Sequence, residues 1–197
     1  MQDLIRHLPA VIYEYSIHPD GTRRFNFISE ACLSILGLSS SDVMHDATLM
    51  DSIVHKDDLN DLTKTSVNAE RAGSEWNWQG RMIVRGKVKW VEIRSNHTLN
   101  SEGIIHRRGI IQDITERKET AKESESRYQA LVERLPIGVA IYKQGKLLFA
   151  NTQAHLILGA DKSQNLIGTD VLNFVEPEHH QRIVRRMKEV AEGLPGV

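Results

Sequence analysis

The chain repeats part of itself, and this repeat constrains its fold more than any other feature. Three segments recur in the same order at offsets of 127, 122 and 121: HLPAVIYEY (7–15) with RLPIGVAIY (134–142), FISEACLSILG (27–37) with FANTQAHLILG (149–159), and VHKDDLNDL (54–62) with VEPEHHQRI (175–183). An ordered register that drifts by a few residues is typical of two homologous domains with loops of different length. We therefore divide the 197 residues into copy one (1–113), a linker (114–135) and copy two (136–197).

Copy one contains five segments with the composition of β-strands. Residues 10–18 and 24–28 are rich in Val, Ile, Tyr and Phe and flank an Asp-Gly turn, which predicts a hairpin. Two more strands meet at Arg85-Gly86-Lys87, and a fifth follows the turn at 100–103.

The helices of copy one lie between the second and third strands. A short helix is predicted at 30–36, with Ser29 as its N-cap, and two helical turns follow between 39 and 54. The long helix at 57–72 has apolar residues at helical spacing and begins at Asp57, a candidate N-cap. Two strands, helices and then three strands predict an α+β fold with a five-stranded antiparallel sheet and helices on one face.

The segment GIIQDITERK (109–118) joins an apolar strand to a charged helix. Asp113 is placed to accept a hydrogen bond from a first-turn N–H, and Glu116 is placed to reach back, as in a capping box. Together with Thr115, these residues predict a joint at which the position of the strand determines the position of the helix.

DITERK (113–118) and the order of the elements resemble the PAS family of sensory domains, whose last strand typically ends in such a segment before a signalling helix. HKDD (55–58) also resembles the H-P-E-D segment that opens the long helix in many PAS domains. The resemblance implies a cytoplasmic sensory and dimerisation module of bacterial type. It also implies that the linker passes a signal to an effector in the same protein, such as a histidine kinase or a cyclic-dinucleotide enzyme.

The linker contains no Gly or Pro and is rich in helix-forming residues, which predicts one continuous helix. Its apolar residues form half of a heptad seam: Ile114, Ala121, Tyr128, Leu131 and Leu135. This pattern fits a weak parallel dimer contact about as well as a helix that lies on a sheet. Paired linkers are common in the PAS family, so the resemblance favours a homodimer.

Copy two is shorter than copy one, because Val197 corresponds to Trp76 at an offset of 121. The counterparts of three strands are therefore missing from the sequence. A two-stranded remnant is expected to expose its edges and the apolar side of its helices. We expect either that further sequence belongs to this domain or that a second chain completes the sheet.

Charge and composition exclude several classes of partner and chemistry. Lys and Arg (25) nearly balance Asp and Glu (26), so neither nucleic acid nor an anionic membrane surface is an expected partner. One cysteine and the absence of a long apolar span fit a cytoplasmic module, although the parent protein could be anchored elsewhere. No phosphate loop, nucleophile elbow or kinase signature occurs, so this sequence is not expected to be an enzyme.

Flavin, haem and metal sites are not supported by the residues. Cys32 lies in the predicted first helix, whereas flavin-binding PAS domains carry their reactive cysteine on a later helix, so a buried thiol is expected. Haem-binding relatives place a histidine where this chain has Leu62 and Arg182. The nine histidines show no close metal-ligand spacing. A flavin or haem sensor nevertheless remains the alternative function, and no cofactor is predicted.

Two further features leave alternatives open. Strand alternation places Trp90 on the face opposite Val91, where it either packs against a helix or subunit or is a plain core aromatic. A small-molecule cavity between sheet and helices is one use of the interior, and a ligand-free relay or interaction scaffold is the other. The candidate lining residues, all equally suited to a solid core, are Tyr13, Tyr15, Ile28, Ile35, Ile53, Leu62, Val91, Ile93 and Ile111.

Overall fold

A computed structural model describes residues 9–160 and 165–192. The chain forms two compact units that meet at Ala121 and Lys122. This division falls inside the helix that the sequence predicts for the linker. Within the described ranges, none of the helices is long and apolar enough to cross a bilayer.

The first unit contains the predicted five-stranded antiparallel sheet, in the order β2-β1-β5-β4-β3. Its strands are β1 (Ala10–Ile17), β2 (Arg23–Ile28), β3 (Trp76–Val84), β4 (Lys87–Leu99) and β5 (Ile105–Asp113). Arg85 and Gly86 both have positive φ, 50° and 77°, and link β3 to β4. A two-residue turn of this kind matches the twist of antiparallel strands, so the predicted break at Arg85-Gly86-Lys87 is confirmed.

Four helices cover one face of this sheet, as predicted. They are α1 (Ala31–Ile35), α2 (Ser40–His45), α3 (Thr48–Ser52) and α4 (Leu59–Ala72). Helix α4 is fastened to β3 by two indole N–H groups: Trp76 donates to Thr65 Oγ1 (3.1 Å) and Trp78 donates to Asp61 Oδ2 (3.0 Å). These two tryptophans therefore belong to the buried inner face, with an additional role in positioning α4.

Two predicted helix caps are wrong. Ser29 does not cap α1, because its Oγ accepts the N–H of Ile12 on β1 at 3.0 Å. Asp57 does not cap α4 either. Asp58 occupies the cap position, and its carboxylate accepts the backbone N–H and the guanidinium of Arg81 on β3. At Ser29 a tertiary contact takes the polar side chain that the sequence pattern had assigned to a helix end, and at α4 the neighbouring Asp58 occupies the cap position and bonds to β3 instead of Asp57.

The second unit begins within α5 (Thr115–Arg134), a continuous helix that spans all but the first and last residue of the predicted linker. Its other elements are β6 (Ala140–Lys143), β7 (Lys146–Ala150), α6 (Thr152–Ile157), 3-10 turns at Val171–Phe174 and Pro177–His179, and α7 (His180–Ala191). The sequence also predicts that a long helix of copy two ends at Gly193, which lies outside the described residues. As expected for a two-stranded sheet, several large apolar side chains of copy two are exposed, including Ile137, Ile141, Leu148 and Ile157.

Candidate functional site

The first unit contains a cavity of about 310 Å³ between the inner face of the sheet and helices α3 and α4. Its walls are mainly aromatic and aliphatic, with a few charged groups. The lining residues are Tyr13, Tyr15, Ile17, Arg23, Phe25, Ala47, Met50, Asp51, Val54, Leu62, Thr63, Ser66, Val67, Glu70, Trp76, Met82, Ile93, Arg107 and Ile111. This volume lies at the lower end of the range for ligand sites.

The structure brings five of the nine predicted pocket residues to this cavity: Tyr13, Tyr15, Leu62, Ile93 and Ile111. The other four do not line it: Ile28, Ile35, Ile53 and Val91. Ile28 and Val91 are buried in the same core cluster as Cys32 and Leu36, and Ile35 and Ile53 pack against that cluster from its edge. The interior thus has a solid part beside α1 and a hollow part beside α4.

Arg107 is a buried charged residue among the lining residues that the sequence prediction missed. It is only 3% exposed, forms an ion pair with Glu70, and donates from Nη2 to the carbonyl of Ser66 at 3.1 Å. Its guanidinium carbon lies 5.1 Å from the centre of the Trp76 ring, within range of a cation–π contact. A usable signal existed, because Arg107 has the same strand parity as Ile111, which faces inward.

Other polar groups of the cavity include two phenols and an ion pair. Burial raises the pKa of the Tyr13 and Tyr15 hydroxyls, so both remain neutral hydrogen-bonding groups at physiological pH. Arg23 and Asp51 form an ion pair whose side chains are partly exposed. This pair therefore marks the solvent side of the cavity.

Neither Cys32 nor Leu62 offers the cavity a group for covalent flavin or haem chemistry. Cys32 is fully buried, burial raises the pKa of its thiol to about 11, and it is not part of the cavity lining. The burial expected for this thiol is therefore confirmed. Leu62 does line the cavity, at the position where haem-binding relatives place their histidine, but its side chain has no lone pair to offer to iron.

The end of β5 is tied to β4 and to the start of α5. The backbone N–H of Trp90 donates to Thr115 Oγ1 (3.0 Å), and the Ile114 N–H donates to the Trp90 carbonyl (2.8 Å). Asp113 accepts both the N–H (3.0 Å) and the hydroxyl of Thr115 and forms an ion pair with Lys89 (3.0 Å). Burial alone would raise the pKa of Asp113, but these partners outweigh it and lower the pKa.

The reciprocal half of the predicted capping box is wrong. Within the described chain, no hydrogen bond joins Glu116 to Asp113. The partners of Asp113 are Thr115 and Lys89, because β4 runs beside the joint and supplies a cation. The assignment of Asp113, Thr115 and Glu116 as signal relay remains a prediction.

The outer face of the sheet contacts two side chains from the first turn of α5. Lys118 Nζ lies 5.1 Å from the centre of the Trp90 ring, and Arg117 lies 3.7 Å from Glu92. Glu92 is buried. Burial would raise its pKa, but hydrogen bonds from Gln79 and Arg94 prevail and lower it. Of the two alternatives for Trp90, the structure therefore shows packing against a helix.

The other end of α5 is tied to copy two. Asn151 is fully buried; its Oδ1 accepts the N–H groups of Val139 (2.8 Å) and Ala154 (2.9 Å), and its Nδ2 donates to the carbonyls of Val132 and Ile137 (both 2.9 Å). Val132 belongs to the last turn of α5. The adjacent Glu133 accepts the N–H and the hydroxyl of Thr152, each at 3.0 Å. We call these contacts the Asn151 clasp.

Comparison with known families agrees with this architecture. A profile described as the PAS fold matches residues 17–114, and one described as a PAS domain matches residues 126–192. The chain belongs to the PAS family. The family resemblance and the two copies predicted from the sequence are thereby confirmed.

Individual relatives are similar at low identity. Sporulation kinase A of Bacillus subtilis (strain 168) is 23% identical over 173 residues, which is 84% of this chain and 28% of that protein. An RNA-binding Light-Oxygen-Voltage receptor has a TM-score of 0.50 at 16% identity and covers 66% of this PAS chain and 36% of its own. The N-terminal domain of a diguanylate cyclase with a PAS/PAC sensor from Marinobacter aquaeolei has a TM-score of 0.48 at 16% identity, covering 55% and 98%. At these identities the solved structures show the fold alone.

The predicted seam on the PAS linker is only partly accessible. Ile114 is 5% exposed because the first unit covers it, so it is not free to join a seam, contrary to the prediction. Ala121, Tyr128, Leu131 and Leu135 are exposed, with Tyr128 at 69% and Leu131 at 57%. Whether these residues form a dimer contact remains a prediction.

The histidines of copy two do not form a buried metal site in the described residues. Glu176, Glu178 and His179 place ligand atoms within 4.8 Å of one another, but all three residues are exposed. His180 instead contacts the Val175 carbonyl through Nε2 at 2.8 Å. Exposed groups of this kind are common without an ion, so they do not indicate a metal centre.

Proposed function

We propose that copy one is an input domain and that α5 relays the state of its sheet into copy two and from there to an effector in the same protein. The module would have no catalytic activity of its own. The observation that carries this proposal is the double role of β4. Its residue Ile93 lines the cavity, and Trp90, three residues away, holds Ile114 and Thr115 through its backbone.

The physical basis of the relay is geometric. Because Ile114 and Thr115 are hydrogen-bonded to Trp90, a shift of β4 moves the first turn of α5 or breaks these bonds. A ligand or partner that binds one arrangement of the sheet more tightly would shift the population toward it. At the far end of the same helix, the Asn151 clasp would deliver that shift to the first strand of copy two.

A protein kinase of the two-component type is the effector that we favour over a cyclic-dinucleotide enzyme. The similarity to Sporulation kinase A supports this choice, and this chain spans 28% of that relative, which leaves room there for further domains. The single buried cysteine supports a reducing, cytoplasmic setting.

We further propose that the module works as a homodimer through α5. The exposed apolar residues Ala121, Tyr128 and Leu131 support this, because they recur with heptad spacing on a helix that is otherwise highly charged, and Leu135 continues the spacing directly after the helix. The dimer would allow a shift at the first turn of α5 to change the register or rotation of two paired helices.

The relay can be tested with Thr115→Val in the 197-residue chain. This change keeps the shape of the side chain but removes the acceptor for the Trp90 N–H and the donor to Asp113. We expect faster amide exchange in the first turns of α5, and changed amide shifts at Val132 and Asn151. Thr120→Val, at an exposed position of the same helix, is the matched control and should change neither. Unaltered signals at Asn151 in Thr115→Val would contradict the relay.

The dimer can be tested by sedimentation equilibrium over a range of concentrations. The double variant Tyr128→Glu/Leu131→Glu should shift the chain toward monomer by at least tenfold in dissociation constant, because two charges would enter an apolar seam. Ser126→Glu lies off the heptad seam and serves as the control. A wild-type chain that stays monomeric at all accessible concentrations would refute the dimer but leave the relay intact.

A further inference from the structure

We propose that the cavity of copy one binds a neutral, mainly apolar molecule of one or two rings, which presents a hydrogen-bond acceptor to Nε of Arg107. This inference rests on the proposed function, since it names the chemical class of the input to the same domain. It is carried by the size of the cavity, by a buried donor that has no partner in the part of the chain that the structure describes, and by the balance of charge in the lining.

The size and walls of the cavity select a small apolar body. Its volume of about 310 Å³ is roughly twice that of a dry cavity of ~150 Å³, which holds a benzene ring. Rings and branched side chains, including Phe25, Trp76, Ile93 and Ile111, form its walls. One ring or two fused rings would fill this space and bury most of their surface.

The polar contact is specified by Arg107. Both N–H groups of Nη2 have acceptors, because this nitrogen donates to Glu70 and to the Ser66 carbonyl. Its Nε is buried and has no hydrogen-bond partner in the described chain. Buried donors in folded proteins nearly always have an acceptor. Since Arg107 also lines the cavity, a ligand oxygen or ring nitrogen can supply it.

The charge balance of the lining selects a neutral ligand. Four charged side chains line the cavity, and they form two ion pairs: Arg107 with Glu70, and Arg23 with Asp51. A carboxylate placed at Arg107 Nε would bring an additional, uncompensated negative charge next to Glu70. A carbonyl, amide or hydroxyl oxygen satisfies the N–H without this penalty.

Three probes of similar shape test this class against its alternatives: 1-indanone (neutral acceptor), indane (no acceptor) and 1-indanecarboxylate (anion). Each is titrated into the ¹⁵N-labelled 197-residue chain, and the Nε–H resonance of Arg107 is followed. We expect 1-indanone to shift this resonance and to bind at least about tenfold more tightly than indane, the difference expected for one hydrogen bond to a charged group. The carboxylate should bind most weakly.

A charge variant makes the test sharper. Glu70→Gln keeps an acceptor for Nη2 but leaves the positive charge of Arg107 unbalanced. The carboxylate should then gain at least tenfold in affinity and overtake 1-indanone. Arg108→Gln is the matched control, because Arg108 is the neighbouring residue on β5, is largely exposed and pairs with Glu14 outside the cavity lining. It should leave the ranking of the probes unchanged.

Several results would overturn the proposal. Tightest binding of the carboxylate to the wild-type chain would show an anion site, equal binding of indane and 1-indanone would remove the role of Arg107, and no shift with any probe would show that the cavity does not accept this class. None of these results depends on α5.

The relay can fail independently of the ligand class. Binding of 1-indanone together with unchanged Asn151 signals in Thr115→Val would refute the relay while the ligand class stands. The three-probe ranking on the wild type decides the matter even if Glu70→Gln fails to fold.

Discussion

Copy one and copy two use different side chains to hold together the two arms of their N-terminal hairpins. Ser29 and Asn151 occupy equivalent positions, 122 residues apart, at the end of the second strand of each hairpin. Each exchanges two hydrogen bonds with the opposite arm of its hairpin: Ser29 with Ile12 on β1 (3.0 and 2.9 Å), and Asn151 with Val139, directly before β6 (2.8 and 2.9 Å). Asn151 has in addition an amide NH2 group, which donates to the carbonyls of Val132 and Ile137.

The two copies depend on different kinds of interaction. Among the described residues, seventeen buried residues form the core cluster of copy one, and four form that of copy two. With little apolar burial, copy two relies more on buried hydrogen bonds. The extra bonds of Asn151 also attach copy two to the linker helix, which Ser29 has no group to do.

The largest expected difference between the copies is in amide hydrogen exchange. Amides of β1 and β5 should exchange on the order of a thousandfold more slowly than those of β6 and β7, because core strands open only with the whole domain whereas a two-stranded sheet is marginal. Mass spectrometry or NMR of the exchanged chain measures this directly. Strong protection of β6 and β7 in a strictly monomeric sample would contradict the expected difference in stability between the two copies.

The second largest difference is expected for the loss of stability when the equivalent leucines Leu36 and Leu158 are replaced by alanine. Leu36 is 1% exposed within the large cluster, so Leu36→Ala should lower the free energy of unfolding of copy one by about 3 kcal/mol. Leu158 is only partly buried, and Leu158→Ala should cost about 1 kcal/mol in copy two. Urea unfolding with copy-resolved NMR signals gives both values. Equal losses would show that the small core of copy two is packed as well as the large one.

At the equivalent polar positions, we expect copy two to lose more stability than copy one. Asn151→Ala removes four side-chain hydrogen bonds from a fully buried site and should destabilise copy two by about 2 kcal/mol or more. Ser29→Ala removes one and should cost copy one about 1 kcal/mol. The same urea experiment applies, and a smaller effect of Asn151→Ala than of Ser29→Ala would contradict the dependence of copy two on its clasp.

The smallest expected effect concerns stability in acid. It depends on the ion pair of Asp58 with Arg81 in copy one, and copy two has His179 at the position equivalent to Asp58. Hydrogen bonds from Arg81 lower the pKa of Asp58. The resulting stabilisation is complete above the pKa of the unfolded chain, about 3.9, and is lost as the pH falls below it. Asp58→Asn should therefore cost copy one about 1 kcal/mol at pH 7 and less at pH 3.

Asp57→Asn provides the control for this pH dependence, because the Asp57 side chain is 60% exposed and its substitution should have little effect at either pH. An Asp58→Asn variant with the same pH profile as the wild type would show that another group is responsible. Thermal unfolding between pH 7 and pH 3 makes the comparison.

Several features of the fold were predictable because they depend on local patterns. The alternation of Val91 and Trp90, the turn at Arg85-Gly86 and the uninterrupted helix-forming linker each reflect residues that are neighbours in sequence. The caps at Ser29 and Asp57 were wrong for the complementary reason. A polar side chain near a helix end has the same signature whether it caps the helix or bonds to a distant strand.

The cavity was half predictable. Parity along the strands indicated which residues face inward, and Tyr13, Ile93 and Ile111 followed from it. Parity does not say where the interior is solid, so Val91 and Ile28 were included wrongly. Arg107 was missed because a charged residue is rarely buried without a partner, and its partner Glu70 lies 37 residues away on α4.

The amino-acid sequence alone shows the duplication, the order of strands and helices in copy one, and the place where the last strand becomes the linker helix, because these features depend on residue spacing and local propensity. Packing of distant segments is what makes the interior hollow beside α4, buries Arg107 with no partner for Nε among the described residues, and fastens the two ends of α5 at Trp90 and Asn151. Those features depend on which distant side chains meet, and that information is a property of the packed chain rather than of any one segment.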